Sequence, residues 1–222
     1  MPVRHLCALL LALLLPGMVH AEEFRVEDHY RLISGHRLSA RDHITVIEFF
    51  SYDCRQCLEL SGLLNNWQKQ IPPNVTYSRV PFVRQDSRLP FAKIYYTLLA
   101  LRRFGSLHEE IYRAYSDNEI DFGDEQSISD WMEQHGVDPY SFLQVFNSPG
   151  VYQKAVRAKK LAQQLDVRSA PSLVVGSKFV ISAELADNDS EVMMLVLDKL
   201  IESTRVDTLN QGQKILTPPP SN

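Results

Sequence analysis

Between positions 44 and 50 the chain reads Ile-Thr-Val-Ile-Glu-Phe-Phe. This short run of β-branched and aromatic residues predicts a buried central strand, interrupted only by Glu48. After Ser51-Tyr52-Asp53 the rhythm changes. Cys57, Leu60, Leu63-Leu64 and Trp67 recur at helical spacing from 54 to 69, and Pro72-Pro73 stops the helix. The stretch 75–82 alternates loosely and reads as a second strand. The result is a β–α–β unit whose first strand-to-helix junction carries a pair of cysteines, at the strand end where ligands and chemistry gather in open α/β sheets.

From about 89 to 166 the pattern is helical. Ala92, Tyr95-Tyr96, Leu99 and Phe104 mark one segment up to Gly105, Ile111 and Tyr115 a second, and Ile128, Trp131-Met132 and His135 a third ending near Gly136; 140–146 and 151–165 supply two more. These spacings predict core packing, and the aromatic stripe is given no cofactor role. Strand character returns at 172–175 and 179–182, joined through Gly176-Ser177, a hairpin signal. Asn188-Asp189 can cap a last helix with Val192, Leu195-Val196 and Ile201 on its apolar face. The tail 206–222 holds Gln211, Gly212 and Pro218-Pro219-Pro220 with few apolar residues, and is expected to be disordered. The order predicts an α/β fold with an inserted all-helical segment.

The N-terminus alters how the cysteines are read. Arg4 precedes a ten-residue apolar run from Leu6 to Leu15, broken by Pro16-Gly17 and followed by Val19-His20-Ala21. The run is too short to span a bilayer and has the flanks of a cleavable secretory signal over residues 1–21. Cleavage would remove Cys7 and leave Cys54 and Cys57 in an oxidising compartment, where cysteine pairs persist as disulfides. A bridge over two intervening residues constrains an unfolded chain very little, so the pair is expected to serve reactivity. Only Arg4 is charged within 1–21, so 23 basic against 27 acidic residues become 22 against 27 after cleavage, a mild acidity with no nucleic-acid footprint. No second apolar run reaches membrane-spanning length.

In Cys54-Arg55-Gln56-Cys57 the two sulfurs sit one helical turn apart, within bonding reach. The first lies at the helix N-terminus, where unpaired N–H groups and the macrodipole favour a thiolate. A stabilised thiolate is both nucleophile and good leaving group, the two properties that drive thiol–disulfide exchange. Cys54 is therefore read as the attacking thiol and Cys57, facing the core, as the resolving one. The rival reading is half of a zinc site. His29, His36, His43, His108 and His135 form no H-x₃₋₅-H pair, so no metal is expected. Pro171 immediately precedes a strand, where a residue without an N–H is tolerated, and Ala170 before it is held extended.

Glu48-Phe49-Phe50-Ser51 leading into the cysteine pair, then a helical insertion, then Ala170-Pro171 before a hairpin, resembles the DsbA family of bacterial periplasmic disulfide oxidases across roughly residues 26–203. The resemblance implies a thioredoxin-like domain over 22–83 and 167–205, interrupted by helices over 84–166. It implies that Pro171 is a cis-proline facing the disulfide, that the Ala170 backbone pairs with substrate as an added strand, and that Glu48 is a buried acid moving the resolving cysteine's proton. It also implies unfolded exported polypeptides as substrates and a membrane oxidase of DsbB type as regenerating partner; no cofactor is expected, and the short stretch before the first strand favours a monomer. One departure stands out. The family commonly has Pro-His between its cysteines, and Arg55-Gln56 lacks the imidazolium charge. Gln56 can still offer an amide hydrogen bond and Arg55 a screened charge, which together predict a weaker oxidant.

Two other functions fit the same residues. One is a periplasmic reductase or isomerase of the same chemistry. The roughly 22 residues between Ala21 and the first strand are too few for the separate dimerisation module that dedicated isomerases carry. The other is a chaperone or metal-binding module whose cysteines are incidental.

Overall fold

The computed structural model describes residues 26–34 and 43–216. The expected signal segment, with Cys7, and His36 lie outside them.

Strand β2 (Ile44–Phe50) forms where the apolar run predicted it, after two short elements that carry no periodic signal: helix α1 (Val26–His29) and strand β1 (Arg31–Leu32). Helix α2 (Arg55–Trp67) follows the cysteine junction and gives way to a 3-10 turn before Pro72-Pro73. Strand β3 (Val75–Pro81) then pairs parallel to β2, Ile44 opposite Val75 and Glu48 opposite Arg79. Five helices follow: α3 (Leu89–Ala100), α4 (Phe104–Ser116), α5 (Glu125–Gln134), α6 (Pro139–Phe146) and α7 (Pro149–Gln164). Helices α5, α6 and α7 start on Asp124, Asp138 and Ser148, whose side chains accept from first-turn N–H groups.

Strands β4 (Ser172–Val175) and β5 (Phe179–Ser182) form the expected hairpin. Gly176 and Ser177 both have positive φ, as a two-residue turn matching strand twist requires. The sheet order is β1-β5-β4-β2-β3, with β4 antiparallel to β2 and β1 antiparallel to β5.

Strand alternation divides the core. Ile44 and Val46 face Leu60 and Leu64 of α2 on one side of the sheet, with Met193, Val196, Leu197 and Leu200 of the last helix, α8 (Ser190–Leu216). On the other side Phe49, Val174 and Val180 pack on Ala162 and Leu165. The C-terminal part of α7, counted by pattern among the inserted helices, thus closes the sheet. A third cluster joins Phe50, Tyr52 and Cys57 to α3–α6, so the helical layer sits on the end of β2 that carries the cysteines.

Two expectations change. Helix α8 runs to Leu216, well into the tail expected to be disordered from 206, while 217–222 lie outside the described residues. Leu209, Gln211, Gln213 and Lys214 are adequate helix formers, and no proline interrupts before Pro218. Leu195, expected on the apolar face of α8, is 57% exposed, because Met193, Val196, Leu197 and Leu200 take the inward positions.

Candidate active site

Cys54 is the N-cap of α2. Its backbone is extended (φ −113°, ψ 103°), and its sulfur accepts the Cys57 N–H at 3.0 Å. The two cysteines are joined by a disulfide, with Cα atoms 5.2 Å apart. Their surroundings differ sharply. Cys57 is fully buried against Phe50 and the helical layer, while Cys54 is partly exposed and lines a groove of about 610 Å³. Among the described residues no cluster of His, Cys, Asp or Glu is arranged to hold a metal.

The Ala170–Pro171 peptide is cis, and Pro171 immediately precedes β4. Ala170 also lines the groove, and its backbone makes no hydrogen bond to a described residue. That leaves its backbone groups unused in the groove that Cys54 also lines.

Glu48 is fully buried. It lies between Val46 and Phe50 on the β2 face covered by α2. Its Oε2 accepts from Arg79 Nε at 2.8 Å and from the Tyr77 hydroxyl, while Oε1 accepts from no described residue. Burial holds its carboxyl above the usual carboxylate range, against the opposing pull of Arg79 and the Tyr77 hydrogen bond. The partner is an arginine from β3, itself fixed by a 2.7 Å bond to Asn65 of α2. Nearby, the Tyr52 hydroxyl meets His108 Nδ1 at 2.9 Å. Burial, and secondarily Arg79, lowers His108 to about 3.

Of the two residues between the cysteines, Gln56 spends its amide away from the sulfur, and Arg55 lies in solvent, where its charge is screened. The Gln56 amide donates to the Asn188 carbonyl at 2.6 Å, which ties α2 to the loop before α8. The Arg55 side chain is 90% exposed and reaches toward Glu59 at 3.9 Å. Sequence reasoning missed Arg79, Tyr77, Asn188 and the groove arginines Arg84, Arg88 and Arg168. An arginine inside a strand beside the central one was the available signal for Arg79.

A mixed sheet whose central strand ends in a Cys-x-x-Cys helix N-terminus, with a cis-proline just before the adjacent strand β4, defines a thioredoxin-like thiol–disulfide oxidoreductase carrying an inserted helical layer. Residues 80–193 match the DSBA-like thioredoxin domain family. The thiol:disulfide interchange protein DsbA of Bordetella parapertussis is 32% identical over 162 residues, covering 73% of this chain and 77% of that protein. DsbA of Pseudomonas aeruginosa is 26% identical over 179 residues, covering 81% and 84%. A crystal structure of Pseudomonas aeruginosa DsbA superposes with a TM-score of 0.74 at 24% identity, over 81% of this chain and 94% of that one. The chain belongs to the DsbA family and is a thiol–disulfide oxidoreductase.

Proposed function

We propose that the protein acts in the periplasm, donating its Cys54–Cys57 disulfide to unfolded exported polypeptides as a monomer and without a cofactor. The observation that carries this reading is the asymmetry of the two sulfurs: one open to a groove at a helix N-terminus, the other sealed in the core. A substrate thiolate attacks Cys54 Sγ, the Cys54–Cys57 bond breaks, and Cys57 leaves as a thiolate. A second substrate thiolate then attacks the substrate sulfur of the mixed disulfide, releasing Cys54 as a thiolate. Two electrons have passed to the protein, and its dithiol needs reoxidation, which suits a membrane oxidase of DsbB type.

Cys57 departs inside the core, where a bare thiolate is costly, so it takes up a proton. Glu48 is the candidate donor: its carboxyl is buried, burial raises its pKa, and one of its oxygens has no partner among the described residues. Ala170 would pair with the substrate backbone as an added strand, with Pro171 holding that edge against the disulfide. With Gln56 engaged by Asn188 and Arg55 in solvent, the Cys54 thiolate draws mainly on the helix terminus, consistent with a modest oxidant.

Mixing the oxidised protein with a reduced, unfolded two-cysteine polypeptide tests the reading. The substrate should gain its disulfide as the protein loses its own. Cys54→Ser should abolish transfer, and Glu48→Gln should slow it and flatten its pH profile. Transfer that proceeds unchanged in Cys54→Ser would refute it. The same weak thiolate stabilisation favours, as a second reading, a reductase. Equilibration with a glutathione buffer decides the direction, because a disulfide that persists at reducing poise would mean that the dithiol passes its electrons outward, whereas a dithiol that persists at oxidising poise marks a disulfide donor.

A further inference from the structure

The groove beside Cys54 is basic in an acidic protein. The whole chain carries a formal charge of −4. Yet Arg55, Arg84, Arg88 and Arg168 line this groove against a single acid, Asp53. The four come from three separate places: the start of α2, the segment between β3 and α3, and the loop before Pro171.

Inside the groove only Asp53 answers this charge, and Arg55 reaches Glu59 at 3.9 Å outside it. Asp53 is spent on Arg88 at 2.7 Å and accepts the Ser51 hydroxyl as well. Arg168 pairs with Asp166 at 2.9 Å, but Asp166 also serves Arg31 at 2.6 Å, so one carboxylate answers two guanidinium groups and does so outside the groove. Arg84 makes no ion pair with a described residue. Phe82 adds an apolar surface among the guanidinium groups.

We propose that this rim selects the substrate: the groove favours extended polypeptide segments carrying aspartate or glutamate within a few residues of the target cysteine. The inference rests on the disulfide-transfer reading above and deepens it. Guanidinium forks match carboxylates in two-point geometry. A cleft of one sign of charge also concentrates oppositely charged ligands and speeds their capture. Because the rim is open to water, its effect lies in capture rate and fades with salt. An acidic segment can lie along Ala170 as an added strand while its carboxylates reach Arg84 and Arg168.

The test uses three unfolded two-cysteine peptides of equal length with acidic, neutral or basic residues around the reactive cysteine. Each is oxidised by the intact protein in single turnover. At low ionic strength the acidic peptide should react about tenfold faster than the basic one, and the ratio should collapse toward unity near ~0.5 M salt. Arg84→Glu, which breaks no ion pair with a described residue, should lower the acidic-to-basic ratio several-fold. If the wild-type protein oxidises all three at one salt-independent rate, the selectivity is overturned while the transfer reading stands. If it oxidises none, the transfer reading itself fails. A wild-type preference that Arg84→Glu leaves intact would overturn the assignment to this rim.

Discussion

The charges below the disulfide and those around its mouth obey different physics. Beneath it, Glu48 and Arg79 face each other in the core, their side chains 0% and 9% exposed. There a charge without its partner costs several kcal/mol, and geometry is everything. At the mouth, Arg55, Arg84, Arg88 and Arg168 stand in or near water, where single charges are screened and act mainly in sum. The floor governs stability and, in the proposed mechanism, proton position. The rim governs which chains arrive.

The floor should break first and hardest. Arg79→Met, in the oxidised protein at neutral pH, should cost about 3–5 kcal/mol, since it strands Glu48 in the core and removes the bond to Asn65. The deficit should grow as pH rises. A carboxyl whose folded-state pKa lies above its unfolded value contributes stability fully below the unfolded pKa and loses it as pH climbs through the folded one, and loss of Arg79 raises Glu48 further. Denaturant midpoints at several pH values would show it. Adding Glu48→Gln should recover part of the loss. A single variant as stable as wild type would mean that the pair is no tighter than a surface one.

His108 sharpens the contrast with the opposite sign. Its folded pKa is lowered to about 3, so from its ordinary 6.5 down to that value the unfolded chain binds a proton that the folded chain refuses. Stability should fall as pH drops through that window, with a slope of about 1.4 kcal/mol per pH unit from this one group. His108→Phe should remove that slope between pH 6 and pH 4. At neutral pH it leaves the Tyr52 hydroxyl unpaired, at a cost of about 1–3 kcal/mol. An unaltered pH slope in the variant would show that the imidazole is not held neutral.

The same contrast explains what could be read along the chain. Cys54, Cys57, Glu48 and Pro171 announce themselves locally: a spacing of three, a charge inside an apolar strand, a proline at a strand's start. The hairpin at Gly176-Ser177 is equally local, and both residues adopt the backbone its turn demands. Arg79 needs more. It meets Glu48 because β3 pairs with β2 in a register that sets those two residues opposite, and a loosely alternating strand does not declare its register. Arg84 and Arg168 are far apart in sequence and converge only when the loop before Pro171 closes over the end of β3. Gln56 looked available to the sulfur until α8's entry loop brought the Asn188 carbonyl to it. Elements α1 and β1, four and two residues long, are too short for any periodicity.

Arg55 gives the finest test of the boundary between floor and rim, because it is the rim residue adjacent to the reactive sulfur. Its side chain is 90% exposed, and its nearest acid is Glu59 at 3.9 Å, one turn along α2. Removing a positive charge should raise the Cys54 thiolate titration in the reduced protein, because the anion loses a favourable neighbour. In water that neighbour is worth little, so Arg55→Ala should move the midpoint by less than about half a pH unit at physiological salt and by nothing measurable near ~1 M. The backbone N–H groups at the start of α2 stay in place and keep the thiolate favoured. Ultraviolet thiolate absorbance against pH reads this directly. A shift beyond one unit that persists in high salt would place Arg55 with the floor, as a partner of the sulfur, and the division between the charges that do chemistry and those that gather substrate would have to be redrawn at Cys54.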